Sequence, residues 1–561
     1  MSFSPGMGGL VDAYDSTKKF PGACTSLQNL IQDQINPEFV VSRPGTLSLA
    51  SFAAAGFLTP TFIPIQVAIG TYVYGMVTTT LHPGFDQPFV YNTITGAFLT
   101  VTGITGINVP TSPTTTGDWV PPTLDNIGTM IVITHPGFNG AGNGFYGVID
   151  ISNLAAPAWR SENLTTNALP CVPTCVANFN DRAWFSGSAV GAGTSNYGNW
   201  VFYTDILTNP LTRTNATQSL VIGDNNSLNK LSGLPAQTTS SGIVQSLTAF
   251  KKNQIWQITG DTTQSNLSLN FLSLTIGTLM PRTVVQCPIG LYFISTAGPY
   301  FINLLGAVLP LVYAIGQDQQ PDVQVPFQNA IYPTRWCAAY GSSIYRVCGL
   351  TVINNFQFTG DYWFDEHKRR WSGPHSFAYD CASPFGGLFI LSSSTQPGTL
   401  ILSSPIANTG FPNTDLGVTM PFNLQSSTFP KSGDMYTKQV VESQIELSAI
   451  NGAVTYTVTA QDGAGRQIGQ VPITVGAGVP IWGAPGLLWG FPPVGSGAIY
   501  TPFTSQYVPL TFPVPWTAPL VFEKMQINIT GTVTANLGIG TFMARYQKTG
   551  YMTQAQVSGT Q

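Results

Sequence analysis

The chain has 561 residues, of which 8% are charged and 43% hydrophobic. Its net charge of −4, from 21 basic and 25 acidic residues, excludes a general nucleic-acid binder that works by neutralising phosphates. Charge this sparse leaves a free monomer poorly soluble, so burial of surface against other subunits is expected.

Gly (58) and Pro (42) make up about 18% of the residues, short of a disordered composition, and 12% aromatic content supplies material for a core. Val, Ile, Thr, Tyr and Phe run in alternation and helix formers at helical spacing are rare, so the fold class is all-β. The opening "MSFSPGMGGL" lacks a basic region followed by an apolar one, so a secretory signal is not expected. With seven cysteines, an odd number, free thiols are expected. Cys171 and Cys175 have the spacing of half a metal site, but no His or second Cys pair stands at ligand spacing. Cys337 and Cys348 fall where a hairpin would set them opposite each other, although buried thiols are the expected state. No metal or other cofactor is expected.

In chain order, residues 1–62 read as an arm, punctuated by Pro-Gly and Gly-Gly pairs and carrying too little apolar sequence to fold alone. Thr46 to Gln66 is free of charge, but Pro60 and Pro64 interrupt any spanning helix, so strands are expected there and no membrane span.

Residues 63–430 repeat one device. Apolar residues lead into a turn of Asn, Asp, Lys or Gly, and an aromatic-centred strand follows. The clearest copies are centred on Trp184, Trp256, Tyr292, Tyr345 and Phe389, at spacings of 72, 36, 53 and 44 residues. That is too uneven for a solenoid and suits a β-propeller, whose blades tolerate loops. Hairpin units fall near 72–101, 130–164, 176–213, 244–275, 283–313, 334–374 and 376–406, predicting six or seven blades. His82 and His135 both begin a His-Pro-Gly-Phe tetrapeptide, 53 residues apart. No partner acid stands at matching positions in both copies, so each reads as a turn residue. The run "DEHKRRW" (Asp365–Trp371) is the basic cluster of the chain. A solvated blade turn is the simpler reading, and Lys368, Arg369 and Arg370 are the candidate DNA contact.

Residues 431–561 carry longer strands with cleaner alternation, the pattern of a β-sandwich-like platform with one wet face. Within it, residues 476–519 form a Pro/Gly-rich insertion holding Trp482, Trp489, Phe491 and Trp516, with no charge between Arg466 and Glu523. Aromatics of this kind are the usual anchors of interfaces, so a subunit contact is expected there.

Several segments bear on identity. "LQNLIQDQINPEFVVSRPGT", "NDRAWF", "QIWQITGD", "IGTLMPRTVV" and "GLYFISTAGPYF" are similar to the tail nozzle proteins of short-tailed bacteriophages, also called tail tubular protein B or packaged-DNA stabilisation protein. The resemblance spans roughly residues 24–310. It implies a non-enzymatic virion protein, assembled in the host cytoplasm. In this family a propeller joined to a platform is repeated, as a homohexamer, around the distal tail channel. The partners implied are the tail adaptor above, tail fibres or spikes, and passing genomic DNA in transient contact. The resemblance leaves the aromatic insertion unexplained.

Two other classes compete. A propeller glycosidase needs paired carboxylates facing one cleft, and with 25 acidic residues and no Ser-x-Asp-x-Gly-x-x-Trp box the sequence argues against an enzyme. A receptor- or glycan-binding propeller of a virion or cell surface is the alternative, with the aromatic insertion as a sugar-stacking surface.

Overall fold

The computed structural model describes the chain apart from residues 1, 13–21, 56–64, 79–84, 105–119, 139–143, 189–195, 240–241, 261–265, 313–320, 354, 407–409, 430–435, 451, 477–509 and 552–561. The protein is all-β, a β-propeller with a C-terminal β-sandwich-like platform. The chain forms two compact units: Leu47–Arg369 with Phe377–Pro405, and Met1–Thr46 with Arg370–Ser376 and Ile406–Gln561.

The first unit is the propeller, and seven blades are formed among the described residues. Blade 1 contains the strands Ile65–Ile69, Tyr72–Thr78, Phe85–Asn92 and Ala97–Leu99; blade 2 contains Thr123–Ile127, Met130–Thr134, Tyr146–Asp150 and Ala158–Glu162. Blade 3 is Val176–Phe179, Arg182–Ser186, Trp200–Tyr203 and Ser219–Val221, and blade 4 is Leu228–Thr239, Gly242–Lys251, Ile255–Thr259 and Ser268–Ser273. Blade 5 runs from Val285–Cys287 to Val308–Pro310, and blade 6 contributes Cys337–Gly341, Ile344–Ile353 and Phe356–Asp365. Blade 7 is Cys381–Phe385, Leu388–Ser393 and Gln396–Ser403, flanked by Thr46–Ser51 from the other end of the chain.

First strands of consecutive blades lie side by side, and Cys381–Phe385 of blade 7 lies beside Ile65–Ile69 of blade 1, which closes the ring. This radial arrangement leaves only short first-strand edges at the axis, protected by the neighbouring blades. Each blade alone has two apolar faces to bury, and they are buried between blades. Ile127, Val132 and Val148 of blade 2 pack with Phe185 and Phe202 of blade 3, and Trp184 and Val201 of blade 3 pack with Leu231 and Leu247 of blade 4. Phe52, Val73 and Phe89 meet Ile390 and Leu400 across the closing seam. Four of the repeat-defining aromatics, Trp184, Tyr292, Tyr345 and Phe389, are all but fully buried, as their place in the centre of each blade requires.

The second unit holds the sandwich. One sheet pairs the long strands Tyr436–Ile450 and Asn536–Tyr551; the other runs from Gln467–Val475 through Val454–Asp462 and Met525–Val533 to Val418–Ser426. The hydroxyl of Tyr456, on the second sheet, donates to the carbonyl of Ser448 on the first, tying the layers.

The division of the chain departs from the one expected. Residues 1–46 do not form an arm: Ala23–Gln28 pairs with Val418–Ser426, Val40–Ser42 with Gly538 and Ile539, and Phe3 with Phe542. Leu27, Leu30 and Val40 are fully buried, so the apolar area judged too small to fold alone completes the core of the C-terminal strands. Val418–Ser426, expected within the propeller, belongs to the same unit.

All seven cysteines are buried free thiols, and Cys337 stands directly opposite Cys348 on the blade 6 hairpin. No helix among the described residues is long and apolar enough to cross a membrane.

Candidate functional site

The site is built on the first strands of blades 2 to 5. The turn Asn180–Asp181 joins Val176–Phe179 to Arg182–Ser186, and both residues adopt the left-handed conformation, with φ of 51° and 53°. A two-residue hairpin turn of this twist favours Asn and Asp, because their short polar side chains tolerate positive φ. Beside this turn a cavity of about 550 Å³ is lined by Asp125 and Asn126 of blade 2, Asn178 and Asp181 of blade 3, and Lys230 and Ser232 of blade 4. Gln245 and Gln286 extend the polar wall towards blade 5.

Asp125 organises the cavity. The backbone N–H of Asn178 donates to its Oδ2 at 2.8 Å, and the N–H of Asn126 donates to its Oδ1 at 2.8 Å. The Nδ2 of Asn178 returns to the carbonyl of Asn126 at 3.0 Å, so the strands of blades 2 and 3 are cross-linked. Burial pushes the Asp125 carboxyl up, against the pull of the Asn178 and Asn126 N–H groups and the Lys230 ammonium. The backbone donors on its two oxygens oppose that shift without cancelling it. The Oδ1 of Asn126 is buried without a hydrogen-bond partner. Such an atom forfeits a hydrogen bond that it would make in water. The arrangement is one of fixed dipoles and acceptors on a rigid frame, suited to holding hydroxyl and N–H groups in place.

A second cavity of about 650 Å³ lies among the residues leading into the first strands, with apolar walls from Val120, Pro121, Phe138, Val172 and Pro281. The Arg282 guanidinium on its wall donates to the carbonyl of Asp380 at 2.6 Å. Its position there is structural.

Of the residues singled out in the sequence, Trp482, Trp489 and Phe491 lie outside the described residues. Trp516 is half-buried on its own unit, where its Nε1–H donates to Ser443 Oγ at 2.7 Å and its ring lies over Gly469. Lys368 sits in a turn 3.8 Å from Asp365. Arg369 occupies the left-handed region at φ 55°. Arg370 is buried, and its Nε–H donates to the carbonyl of Met7 at 2.7 Å. The structure therefore does not bring the three together as one exposed basic surface. His82 is outside the described residues, whereas His135 is a buried turn residue: Nε2–H donates to the carbonyl of Val120 at 2.8 Å and Nδ1 accepts from the N–H of Gly137 at 2.8 Å.

Sequence reasoning missed the cavity. Asn178 and Asp181 lie in "NFNDRAWF", which reads as a turn from its residues, and nothing local ties that turn to Asp125 or Lys230. The repeated placement of Asn and Asp beside first strands was the available signal.

No family model matches the chain, and no curated protein matches it. Solved structures similar to it include an exported protein from Bacteroides fragilis, at 9% identity and a TM-score of 0.33, covering 68% of this chain and 99% of that one. A GH32 β-fructofuranosidase from Bombyx mori has 10% identity and a TM-score of 0.22, covering 76% of this chain and 92% of its own. A glycoside hydrolase family 43 arabinoxylan arabinofuranohydrolase from Bacillus subtilis has 8% identity and a TM-score of 0.21, covering 86% and 95%. None of the three is a phage tail protein. Two of them are named as enzymes, which corrects the expectation that the chain is not one: the exclusion of catalysis is withdrawn. Scores this low carry no particular activity over to this chain.

Proposed function

We propose that this protein is a glycan-binding β-propeller and that the polar cavity on blades 2 to 5 is its binding site. One observation carries the reading: the cavity wall presents amides, a hydroxyl, an ammonium and two carboxylates, of which Asp125 is held by backbone hydrogen bonds, with few apolar atoms exposed between them. Sugars present dense, alternating donors and acceptors, and a site that is hydrogen-bonded in advance loses little order on binding them. The test is a glycan array followed by calorimetry on the best ligand. Asn178→Ala and Asp181→Ala should each weaken binding roughly tenfold or more, since each leaves a ligand group unpaired. Wild-type affinity in both variants would remove the cavity from the reading. Incubation with the bound glycan and analysis of products then separates binding from turnover.

A second reading, a virion tail component, has an observation of its own. A chain with few charges spends several on internal pairs: Arg346 with Asp361, Arg335 with Asp380 and Lys251 with Asp224 in the propeller, and Arg43 with Asp415 in the sandwich unit. What remains is a weakly charged surface suited to assembly with other copies. Native mass measurement and microscopy test it. A monomer at high concentration, absent from particles, ends this reading and leaves the glycan reading standing.

A further inference from the structure

Independently of the glycan reading, we infer that the second cavity, where the first strands begin, binds a small organic anion: a carboxylate carried on an apolar ring system. Its volume of about 650 Å³ is that of a small-molecule site, and its make-up is too, apolar walls with a few polar groups among them. Val120, Pro121, Phe138, Phe145 and Val172 supply the apolar side. Among the described residues that line it, Arg282 is the one that carries a charge. The cavity therefore differs in kind from the polar one, whose wall holds two carboxylates and an ammonium.

Arg282 is anchored but not neutralised. Nη2 donates to the carbonyl of Asp380 at 2.6 Å, and Nη1 reaches the carbonyl of Arg335 at 3.5 Å. Both acceptors are backbone oxygens, so they fix the guanidinium without cancelling its charge. The Asp380 carboxylate is committed elsewhere: Oδ1 accepts from Arg335 Nη2 at 3.0 Å, and Oδ2 from the N–H of Ser394 at 2.9 Å. No carboxylate among the described residues forms an ion pair with Arg282, so here one carboxylate serves two guanidiniums. The Nε–H of Arg282 has no hydrogen-bond partner among the described residues. A half-buried guanidinium in this state gains most from an anion, and a carboxylate matches its planar donors. Walls and cation thus call for two halves of one molecule. A bare ion leaves the apolar walls wet, and a neutral ring leaves the cation without its counter-charge.

Three probes separate the two contributions: 2-naphthoate, the neutral 2-naphthylmethanol with the same rings, and acetate with the carboxylate alone. Calorimetry on the full chain should find naphthoate bound roughly tenfold or more tighter than the alcohol, and acetate weaker than both. In Arg282→Gln the affinity for naphthoate should fall to that for the alcohol, while Arg282→Lys, which keeps the charge, should retain part of the preference. Val120→Trp adds bulk at an exposed position of the wall and should weaken both ring compounds several-fold. The inference is overturned if neither ring compound binds the wild type, if the alcohol binds as tightly as naphthoate, or if Arg282→Gln, folded by its melting curve, keeps the full preference. Should Arg282→Gln fail to fold, Val120→Trp decides, and unchanged binding of naphthoate there overturns it. None of these outcomes touches the glycan reading, which concerns the other cavity and is tested with sugars.

Discussion

Arg43 and Asp415 stand 372 residues apart in sequence and form a buried ion pair in the sandwich unit. The Arg43 guanidinium donates to both carboxylate oxygens of Asp415 and, through Nε, to Asn29 Oδ1 at 2.8 Å. Its side chain has no exposed surface. Removing one partner of such a pair strands a charge, while replacing both is far milder. Asp415→Ala should therefore destabilise the protein by about 3–5 kcal/mol, and the double variant Arg43→Met, Asp415→Leu by much less. Denaturant titration of the three proteins checks it. Equal losses would mean that the pair is solvated.

A second expectation concerns Gly349 of blade 6. A Cβ at this position would stand 1.9 Å from the indole of Trp336, which is fully buried and bonded through Nε1–H to the carbonyls of Ile331 and Leu350. Gly349→Ala must displace that ring, at about 1–3 kcal/mol or somewhat more, the range for overpacking. Thermal melts and the near-ultraviolet circular dichroism of the tryptophans report it.

His135 gives the pH dependence. Burial pushes its imidazole down to about 4, and the N–H of Gly137 occupies Nδ1 as an acceptor, so the folded protein holds it neutral. In the unfolded chain it titrates near 6.5. Between these values the unfolded state binds the extra proton. Stability is fully present above about pH 6.5 and falls as pH drops towards about 4, by up to about 3 kcal/mol. His135→Gln should be less stable at neutral pH and lose this slope. A slope unchanged in the variant would assign it to carboxylates instead.

The basic run Lys368, Arg369 and Arg370 divides under substitution. Arg370→Ser removes a buried donor to the carbonyl of Met7 and should lower stability by about 1–3 kcal/mol. Lys368→Ser breaks the long 3.8 Å contact with Asp365 at a partly exposed side chain and should stay within about 0.5 kcal/mol of wild type. Comparable losses from both would show that the turn, and not the Arg370 contact, sets the stability.

Trp516→Ala should lower the melting temperature of the isolated chain, because the indole bonds Ser443 and covers Gly469 on its own sheet. A loss of about 3–5 kcal/mol is the usual cost of deleting a buried indole, and half-burial puts the expected value near the lower end. An unchanged melt together with weakened self-association would place its contribution at a subunit interface.

The sequence by itself determined the all-β class and the propeller with its sandwich-like platform, because these are written in short-range signals. The Asn180–Asp181 turn before Trp184, and Gly290 leading into Tyr292, fix hairpins from neighbouring residues alone, and each expected hairpin unit falls on a blade. Tertiary structure decided what depends on residues far apart in the chain. Leu27 and Val40 read as an arm until Val418–Ser426 and Gly538–Ile539 pair with their strands, since no periodicity in a short segment says which distant edge it completes. The cavity arose in the same way. Asp125 and Asn178 are 53 residues apart and Lys230 is farther still, and only closure of the blades around one axis sets the carboxylate, the amide and the ammonium against a common space.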